Sequence, residues 1–410
     1  MRVIGLDVHR SFAEVAILEN GTIQHAGRFK LEHWRVIAFG KTLKRNDEVV
    51  LEATGNTSVI VRLLTPFVRR VVVANPLQVR SIAWAKVKTD KIDAGVLAKL
   101  HASGFLPEVW IPNEETEALR RRIAERNQLA SQMTRLKNRV HSVLHANLIP
   151  RYAGKLFSER GRTWLDTQPL PEDQRRQIGR HIDEHDRIAI ELVALEKNLA
   201  ENALRDDRVK RLMTIGGVNA IVALGVLAAI GDVARFSSPQ KLVSYFGLNP
   251  KVRQSGDRPA YHGRISRQGR AHARAMLVEA AWSIATQPGP LRAFFNRVKQ
   301  RRGQQIAAVA TARKLAVLIW HLLTNEEDYA WTRPALMQWK IRELELRAGR
   351  ASRRGGNKPG PARDYSLKTV RDKEREWLGL AEAGYRRFVS AWKEKPPTRR
   401  PGAAKEVRRS

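Results

Sequence analysis

The chain has 410 residues, 43% of them hydrophobic, which is enough for two or three domains with packed cores. Its 74 basic and 41 acidic side chains leave a net charge of +33, so the composition predicts a polyanionic partner, nucleic acid rather than a membrane. The lack of cysteine excludes disulfides, thiolate nucleophiles and Cys-ligated zinc.

No apolar run reaches about 18 residues, and no apolar signal region follows the first residues of the chain. We therefore expect a soluble, cytoplasmic protein.

Residues 1–110 predict an α/β domain. The strand-like runs in "RVIGLDVHRSFAEVAIL" lead through the turn "ENG" into "TIQHAGRF", and "EVVLEA" and "RVVVANP" are two further short strands. Helical segments such as "HWRVIAFGKTL" and "NTSVIVRLLTPFV" alternate with them. This alternation favours a mixed sheet with helices on its faces.

Residues 111–207 predict a helical coiled-coil spacer. Two long segments carry apolar residues at heptad spacing and are separated by a Pro/Gly-containing loop at about 149–171. The two helices could pair within one chain or between protomers of a homo-oligomer. Their seams are Leu129, Met133, Leu136, Val140 and Val143 in the first segment, and Ile188, Leu192, Leu195 and Leu199 in the second.

Residues 208–346 predict a mostly helical domain, and residues 347–410 a basic, disordered tail. Gly216 and Gly217 separate two apolar helices, where they could form a helix–helix turn or let backbone N–H groups approach a phosphate. The tail carries a net charge of +12 and is rich in Arg, Gly and Pro. Such a composition buries little, although "EREWLGLAEAGYRRFVSAW" could form a short helix.

Four carboxylates of the first domain fall where a metal site would need them. Asp7 lies within an apolar strand, and Glu52 ends another, both costly positions for a lone charge. Asp90 and Asp93 share one helix face. Carboxylate oxygens suit Mg²⁺, and two such ions can clamp a phosphoryl transfer. The alternative is a solvated helix face on which the two aspartates pair with neighbouring lysines.

The segment "PKVRQSGDRPAYHGRISRQG" raises the possibility of a serine nucleophile. Ser255 lies among four arginines, which can stabilise charge on a phosphate: Arg253, Arg258, Arg264 and Arg267. From the residues alone, a Ser-Gly pair after a charged stretch is usually a turn. Other local serines are candidates too: Ser237, Ser238, Ser244 and Ser266.

Together these segments resemble a known family. "IGLDVHR", "LEATGN", "VVVANPLQVR" and "KTDKIDA", followed by "IGGVNAIVALGVLAAIGDVARFSSPQKLVSYFGLNPKVRQSG" and "GRISRQGRAHARAML", are similar to the DEDD-type insertion-sequence transposases of the one-hundred-and-ten family. The resemblance covers about residues 1–330 and leaves the basic tail outside.

The resemblance implies a RuvC-like, RNase H-type first domain with Asp7, Glu52, Asp90 and Asp93 as a catalytic tetrad that binds Mg²⁺ or Mn²⁺. It implies that Ser255 forms a phosphoserine link with DNA. Further residues would then contact nucleic acid: Lys88, Lys91, Gly216, Gly217, Arg253, Arg258, Arg264 and Arg267.

The same resemblance implies donor and target DNA as substrates, guidance by a noncoding bridge RNA, and a dimer or tetramer near the nucleoid. Base pairing by the RNA would carry the sequence specificity. Two alternatives stay open: a metal-dependent, junction-resolvase-like nuclease, and a nucleic-acid-binding protein without catalysis.

Overall fold

The computed structural model describes residues 2–82, 89–256, 259–351 and 361–394. The chain divides into two compact units, the first ending at Asn113 and the second beginning at Glu114. Lys88 and Arg258, two of the expected nucleic-acid contacts, lie outside the described residues.

The first unit contains a five-stranded mixed sheet in the order β3-β2-β1-β4-β5. Strand β2 runs antiparallel to β1 and β3, whereas β4 and β5 run parallel to β1. The β2–β3 hairpin turns at Asn20 and Gly21, both with positive φ, as the "ENG" sequence predicts. The strands are β1 (Val3–Val8), β2 (Phe12–Glu19), β3 (Thr22–Lys30), β4 (Glu48–Glu52) and β5 (Arg70–Ala74).

Helices cover both faces of this sheet. Alternate residues of β1 enter two separate cores, with Ile4 in one and Val3 in the other. Helices α1 and α2 contribute to the core around Ile4, and α3 and α4 to the core around Val3. The helices are α1 (His33–Thr42), α2 (Thr57–Leu64), α3 (Pro76–Ile82) and α4 (Asp90–Ala102). The α/β expectation for this region is confirmed.

The second unit begins with two long helices that pack on each other within the chain. Leu136 and Val140 of α5 are buried, as are Ile188 and Leu199 of α7. The segment expected to be a loop contains a short helix, α6, which closes a small apolar core at this end of the pair. The bounds are α5 (Glu114–Ala146), α6 (Glu159–Asp166) and α7 (Glu172–Arg205).

The remainder of this unit is mostly helical, as expected, and is built around one large core. Helix α9 is buried throughout from Val222 to Ile230. A two-stranded hairpin, β6–β7, is inserted between α10 and α11. The elements are α8 (Asp207–Met213), α9 (Ala220–Ile230), α10 (Pro239–Tyr245), β6 (Pro250–Arg253), β7 (Tyr261–Ile265), α11 (Ala271–Ala285), α12 (Pro290–Arg302), α13 (Gln304–Thr324) and α14 (Pro334–Arg347).

The expectation of a disordered tail is wrong for part of residues 347–410. After α15 (Pro361–Asp364), α16 (Lys368–Glu394) forms a helix of 27 residues. Leu378 and Ala381 are buried on one of its faces, and the buried Glu374 pairs with Arg333 at 3.0 Å. The basic composition of the tail did not reveal this amphipathic face. Its buried residues include Glu374 and Glu382, which pair with Arg333 and Arg292 from earlier in the chain.

Helix α13 is long and apolar enough, by length and composition, to cross a membrane. Half of its apolar window is buried, and Leu315 and Ile319 are fully enclosed in the core of the second unit. This burial is typical of the central helix of a globular domain.

Candidate metal centre and serine hairpin

Gly5 allows α4 to lie directly on β1. Val3, Gly5 and Asp7 alternate along β1 and therefore share one face of the sheet. A Cβ atom on Gly5 would lie 1.9 Å from the carbonyl oxygen of Ala94, in the middle of α4. The missing side chain therefore permits a backbone contact that brings the start of α4 to the end of β1.

Asp7, His9 and Asp90 converge at this point. His9 Nε2 lies 3.1 Å from Asp7 Oδ2 and 3.4 Å from Asp90 Oδ2. One ligand atom from each of the three residues lies within 4.8 Å of the others. Thr89 caps α4, accepting a hydrogen bond from the backbone N–H of Ile92, so Asp90 sits in the first helical turn.

The electrostatics of this group favour a bound cation. Burial raises the pKa of Asp7, and the negative charges of Asp93 and Asp90 raise it further, whereas His9 lowers it. Carboxylates held this close repel one another, and a divalent cation would offset that repulsion. Asp7 and Asp90 each place a carboxylate oxygen within 3.4 Å of the same nitrogen of His9. These two hard oxygen donors therefore form a donor set that fits such an ion.

Asp93 and Glu52 lie beside the group but not within it. Asp93 follows Asp90 by one helical turn, and its charge acts on Asp7. Glu52 ends β4, directly after Leu51, which pairs with Leu6 in the neighbouring strand. Among the described residues, the set of ligand atoms within 4.8 Å contains neither Asp93 nor Glu52.

Sequence reasoning missed two residues of this site. His9 follows Asp7 by two positions, directly after β1 ends at Val8, and the alternation of the strand favours the same side for residues two apart, a signal visible in "LDVHR". Glu14 pairs directly opposite Asp7 on β2 and is only 6% exposed. Its position depends on strand register and could not be read from a local motif.

Of the two lysines expected near phosphates, only Lys91 is described. It is exposed on α4, next to Asp90.

Ser255 lies exposed at the end of the β6–β7 hairpin. It comes two residues after Arg253, the last residue of β6, and before Gly256, whose φ is +57°. Arg253 pairs with Tyr261, so the hairpin carries Ser255, Arg253 and the exposed Arg264 on adjacent strands. The exposed Arg267 follows β7 with a φ of +57°.

A tyrosine–arginine cluster supports the base of this hairpin. Tyr245 Oη donates to the carbonyl of Ala229 at 3.1 Å and accepts from Arg270 Nε at 2.8 Å. Burial alone would raise the pKa of Tyr245, but the positive charges of Arg270, Arg235 and Arg120 outweigh it and lower that pKa. The cluster therefore concentrates positive charge below the serine segment.

The Gly216–Gly217 turn is tightly packed between α8 and α9. Gly217 has a φ of +84°, and a Cβ on it would lie 3.0 Å from the carbonyl oxygen of Ala280. Lys340 Nζ donates to the turn's carbonyl oxygens at 2.5, 3.1 and 2.8 Å, those of Met213, Ile215 and Val218. These contacts give the glycines a clear packing role as a helix–helix turn.

In the first unit, a mixed sheet gathers carboxylates at the start of a helix. This arrangement suits an enzyme that acts on nucleic-acid phosphates. Residues 4–148 match the DEDD domain model of the IS110 transposases, described as "Transposase". Residues 209–296 match the model described as "Transposase IS116/IS110/IS902 family". The chain belongs to this family of insertion-sequence transposases, which confirms the resemblance found from its motifs.

Curated relatives cover both short and long stretches of the chain. The transposase for insertion sequence element IS1111A of Coxiella burnetii is 31% identical over 33% of this chain and 38% of its own length. The transposase for IS1328 of Yersinia enterocolitica is 24% identical over 68% of this chain and 84% of its own. The pilin gene-inverting protein of Moraxella bovis is 23% identical over 80% of this chain and 97% of its own.

Proposed function

We propose that this transposase cuts and rejoins DNA with a carboxylate metal centre and a serine nucleophile. The observation that carries the proposal is the convergence of Asp7 and Asp90, from β1 and α4, on one point. The first unit's sheet, in which β2 runs antiparallel to the three parallel strands β1, β4 and β5, supports a RuvC-like fold for this domain.

Asp7, Glu52, Asp90 and Asp93 would hold Mg²⁺ or Mn²⁺. A bound divalent ion supplies charge neutralisation at the phosphate and lowers the pKa of coordinated water. His9 contributes by holding the Asp7 and Asp90 side chains towards each other through its shared nitrogen.

Ser255 would attack a DNA phosphorus atom. A bond forms between Ser255 Oγ and phosphorus, and the bond from phosphorus to the leaving sugar oxygen breaks. The proton lost by the serine hydroxyl is balanced by the proton taken up by that sugar oxygen. Arg253 and Arg264 would stabilise the negative charge on the phosphate, as guanidinium groups do by binding two oxygens at once. Attack by a new sugar hydroxyl reverses the step and rejoins the strand.

Guidance by a bridge RNA, assembly as a dimer or tetramer, and association with the nucleoid belong to the same proposal. The net charge of +33 supports a large nucleic-acid partner. Lys91 and Arg267, with Lys88 and Arg258, would contribute contacts to it, whereas the close packing of Gly216 and Gly217 favours the helix–helix turn for them.

The test is a denaturing-gel assay for covalent protein–DNA adducts. Wild type and Ser255→Ala are incubated with Mg²⁺, labelled donor and target DNA, and RNA from the element's flanking noncoding region. We expect an adduct that requires Ser255, RNA and metal together. Ser266→Ala, an exchange at a serine of the same segment, is the matched control and should leave the adduct intact.

A metal-dependent nuclease is the second candidate function. One observation favours it: the Asp7–His9–Asp90 group is complete within the first unit and needs no residue of the serine hairpin. Cleavage without an adduct, unchanged in Ser255→Ala and lost in Asp7→Asn, would establish this alternative and remove the serine from the chemistry.

A further inference from the structure

The helical hairpin α12–α13 is strongly basic and contains no acidic residue. Between Pro290 and Thr324 the chain carries seven lysines and arginines and no aspartate or glutamate. Five of the seven lie on α12. None of these seven basic residues can therefore pair with an acidic residue of the same hairpin.

Helix α16 lies against α12 and forms the second wall of a groove. Glu382 of α16, only 3% exposed, pairs with Arg292 at 2.7 Å and accepts a hydrogen bond from the N–H of Gly289 at 3.1 Å. These contacts hold the wall in place. The groove has a volume of about 600 Å³.

The lining of this groove is basic and polar. Arg297 and Lys299 come from α12, and Arg386 and Tyr385 from α16, with no acidic side chain among the described lining residues. Arg386 pairs with Glu382. That carboxylate is already shared with Arg292, so the groove retains an excess of positive charge.

Arg297 of the groove lining also lies close to a second cation, Lys314 of α13. Arg297 and Lys314 both lie over the ring of Phe294, at 5.3 and 5.2 Å from its centroid. Desolvation, and then the charge of Arg297, lower the pKa of Lys314. A bound anion would relieve this repulsion.

Two exposed aromatic side chains extend past the groove on α16. Phe388 and Trp392 are 61% and 69% exposed, with ring centroids 6.0 Å apart. Aromatic faces beside a basic groove are the arrangement that binds unpaired bases, because every base has a π-face and every linkage a phosphate. Bases of an intact duplex are stacked on one another and do not offer their faces.

We propose that the α12–α16 groove binds a single-stranded nucleic-acid segment, with phosphates along Arg297 and Lys299 and bases on Phe388 and Trp392. This site goes beyond the cutting and rejoining reaction, since it involves neither the carboxylates nor Ser255. Helix α16 also lies outside the stretch 209–296 matched by the family model. Single-stranded DNA and RNA share the chemistry required, so both are used as probes.

The test compares the full-length protein with two double variants, Arg297→Gln/Lys299→Gln and Phe388→Ala/Trp392→Ala. Fluorescence anisotropy is measured in EDTA, which prevents metal-dependent cutting, with single-stranded DNA, single-stranded RNA and duplex DNA. We expect each double variant to bind single strands about tenfold or more weakly. The basic-residue variant should also lower the slope of log affinity against log salt concentration by about 0.7 for each phosphate that it no longer binds. The stronger of the two single-stranded probes identifies the natural strand.

A control removes the same number of positive charges from α16, the other helix of the groove. Lys373→Gln/Arg375→Gln changes two exposed residues of α16 outside the groove lining and should bind nearly as well as wild type. An equal loss in this control would overturn the proposal in favour of nonspecific charge. Duplex binding that weakens as much as single-strand binding in Phe388→Ala/Trp392→Ala would also overturn it. So would unchanged strand binding with loss of an oligomer on sedimentation, which would assign the aromatic face to a second copy of the chain.

Discussion

At the candidate metal centre, acidic side chains are grouped closely together. Asp7 lies in the central strand β1, with Glu14 directly opposite it on β2. The side chains of Asp7 and Asp90 both contact Nε2 of His9. Grouping partly buried carboxylates costs free energy unless a cation offsets it. The raised pKa of Asp7 expresses that cost. A cation bound here would offset that cost.

Gly5→Ala tests how closely this arrangement depends on one backbone contact. The new Cβ would meet the Ala94 carbonyl at 1.9 Å, so α4 must move away from β1 and carry Asp90 with it. We expect a loss of about 1–3 kcal/mol in the free energy of unfolding. Urea denaturation measures this loss, and calorimetric titration with Mn²⁺ should show weaker binding.

Gly55→Ala is the control for that substitution, since a Cβ there meets no atom within 4 Å. It should leave stability almost unchanged. Equal stability of Gly5→Ala and wild type would mean that α4 does not rest on β1 as closely as described.

At the scale of elements, buried polar contacts between helices organise the second unit. Lys340 of α14 reaches three carbonyl oxygens in the turn after α8, and Glu374 of α16 reaches Arg333 before α14. Such contacts satisfy backbone groups that the ends of helices leave without partners. They therefore fix which helices pack together.

Lys340 should make stability depend on pH. Burial, assisted by the charge of Arg333, lowers the pKa of Lys340 from 10.5 to about 7. Between these values the unfolded chain binds a proton that the folded chain does not, and the neutral folded amine can donate to only two of the three carbonyl oxygens at a time. Stability should therefore rise as pH increases from about 7 towards 10, by at most about 1.4 kcal/mol per pH unit. Chemical denaturation at several pH values measures the slope.

Lys340→Met removes the titrating group and should reduce this slope while lowering stability throughout, because the three carbonyl oxygens lose their donor. Identical slopes in the variant and wild type would show that those carbonyls keep Lys340 charged in the folded protein.

At the scale of the whole molecule, the two candidate chemistries belong to separate compact units. The carboxylates lie before Asn113, and Ser255 lies in the unit that begins at Glu114. Each unit has cores of its own. Ligands of one unit should therefore stabilise that unit first.

Calorimetry of the full chain should show this division directly. A metal at about 100 times its dissociation constant stabilises its binding unit by about 2.7 kcal/mol. We expect Mn²⁺ to raise the melting temperature of the first unit and to leave that of the second unchanged, as identified with a fragment spanning residues 1–113. Asp7→Asn should abolish the shift. A shift of equal size in this variant would place the metal elsewhere.

Much of the secondary structure could be predicted because its signals are local. The Asn-Gly turn, the short β-branched strands and the heptad-spaced helices each depend on neighbours a few residues apart. For the tail the same method allowed a short helix at residues 374–392, but its basic composition predicted a disordered segment that buries little, whereas α16 spans Lys368–Glu394 and is packed. Its two buried glutamates, Glu374 and Glu382, are paired with Arg333 and Arg292, which are distant in sequence, and these pairings could not be read from the segment itself.

By itself, the sequence determined that the partner is a nucleic acid, that the chain combines an α/β region with a helical one, and which family it belongs to. Charge, periodicity and the order of motifs can all be read directly from the sequence. Tertiary structure decided that Asp7 and Asp90 meet at His9, that Glu14 faces Asp7, and that α16 completes a basic groove. These facts depend on strand register and on the close approach of backbones at Gly5. Such contacts join residues far apart in the chain, and no local pattern encodes their distance.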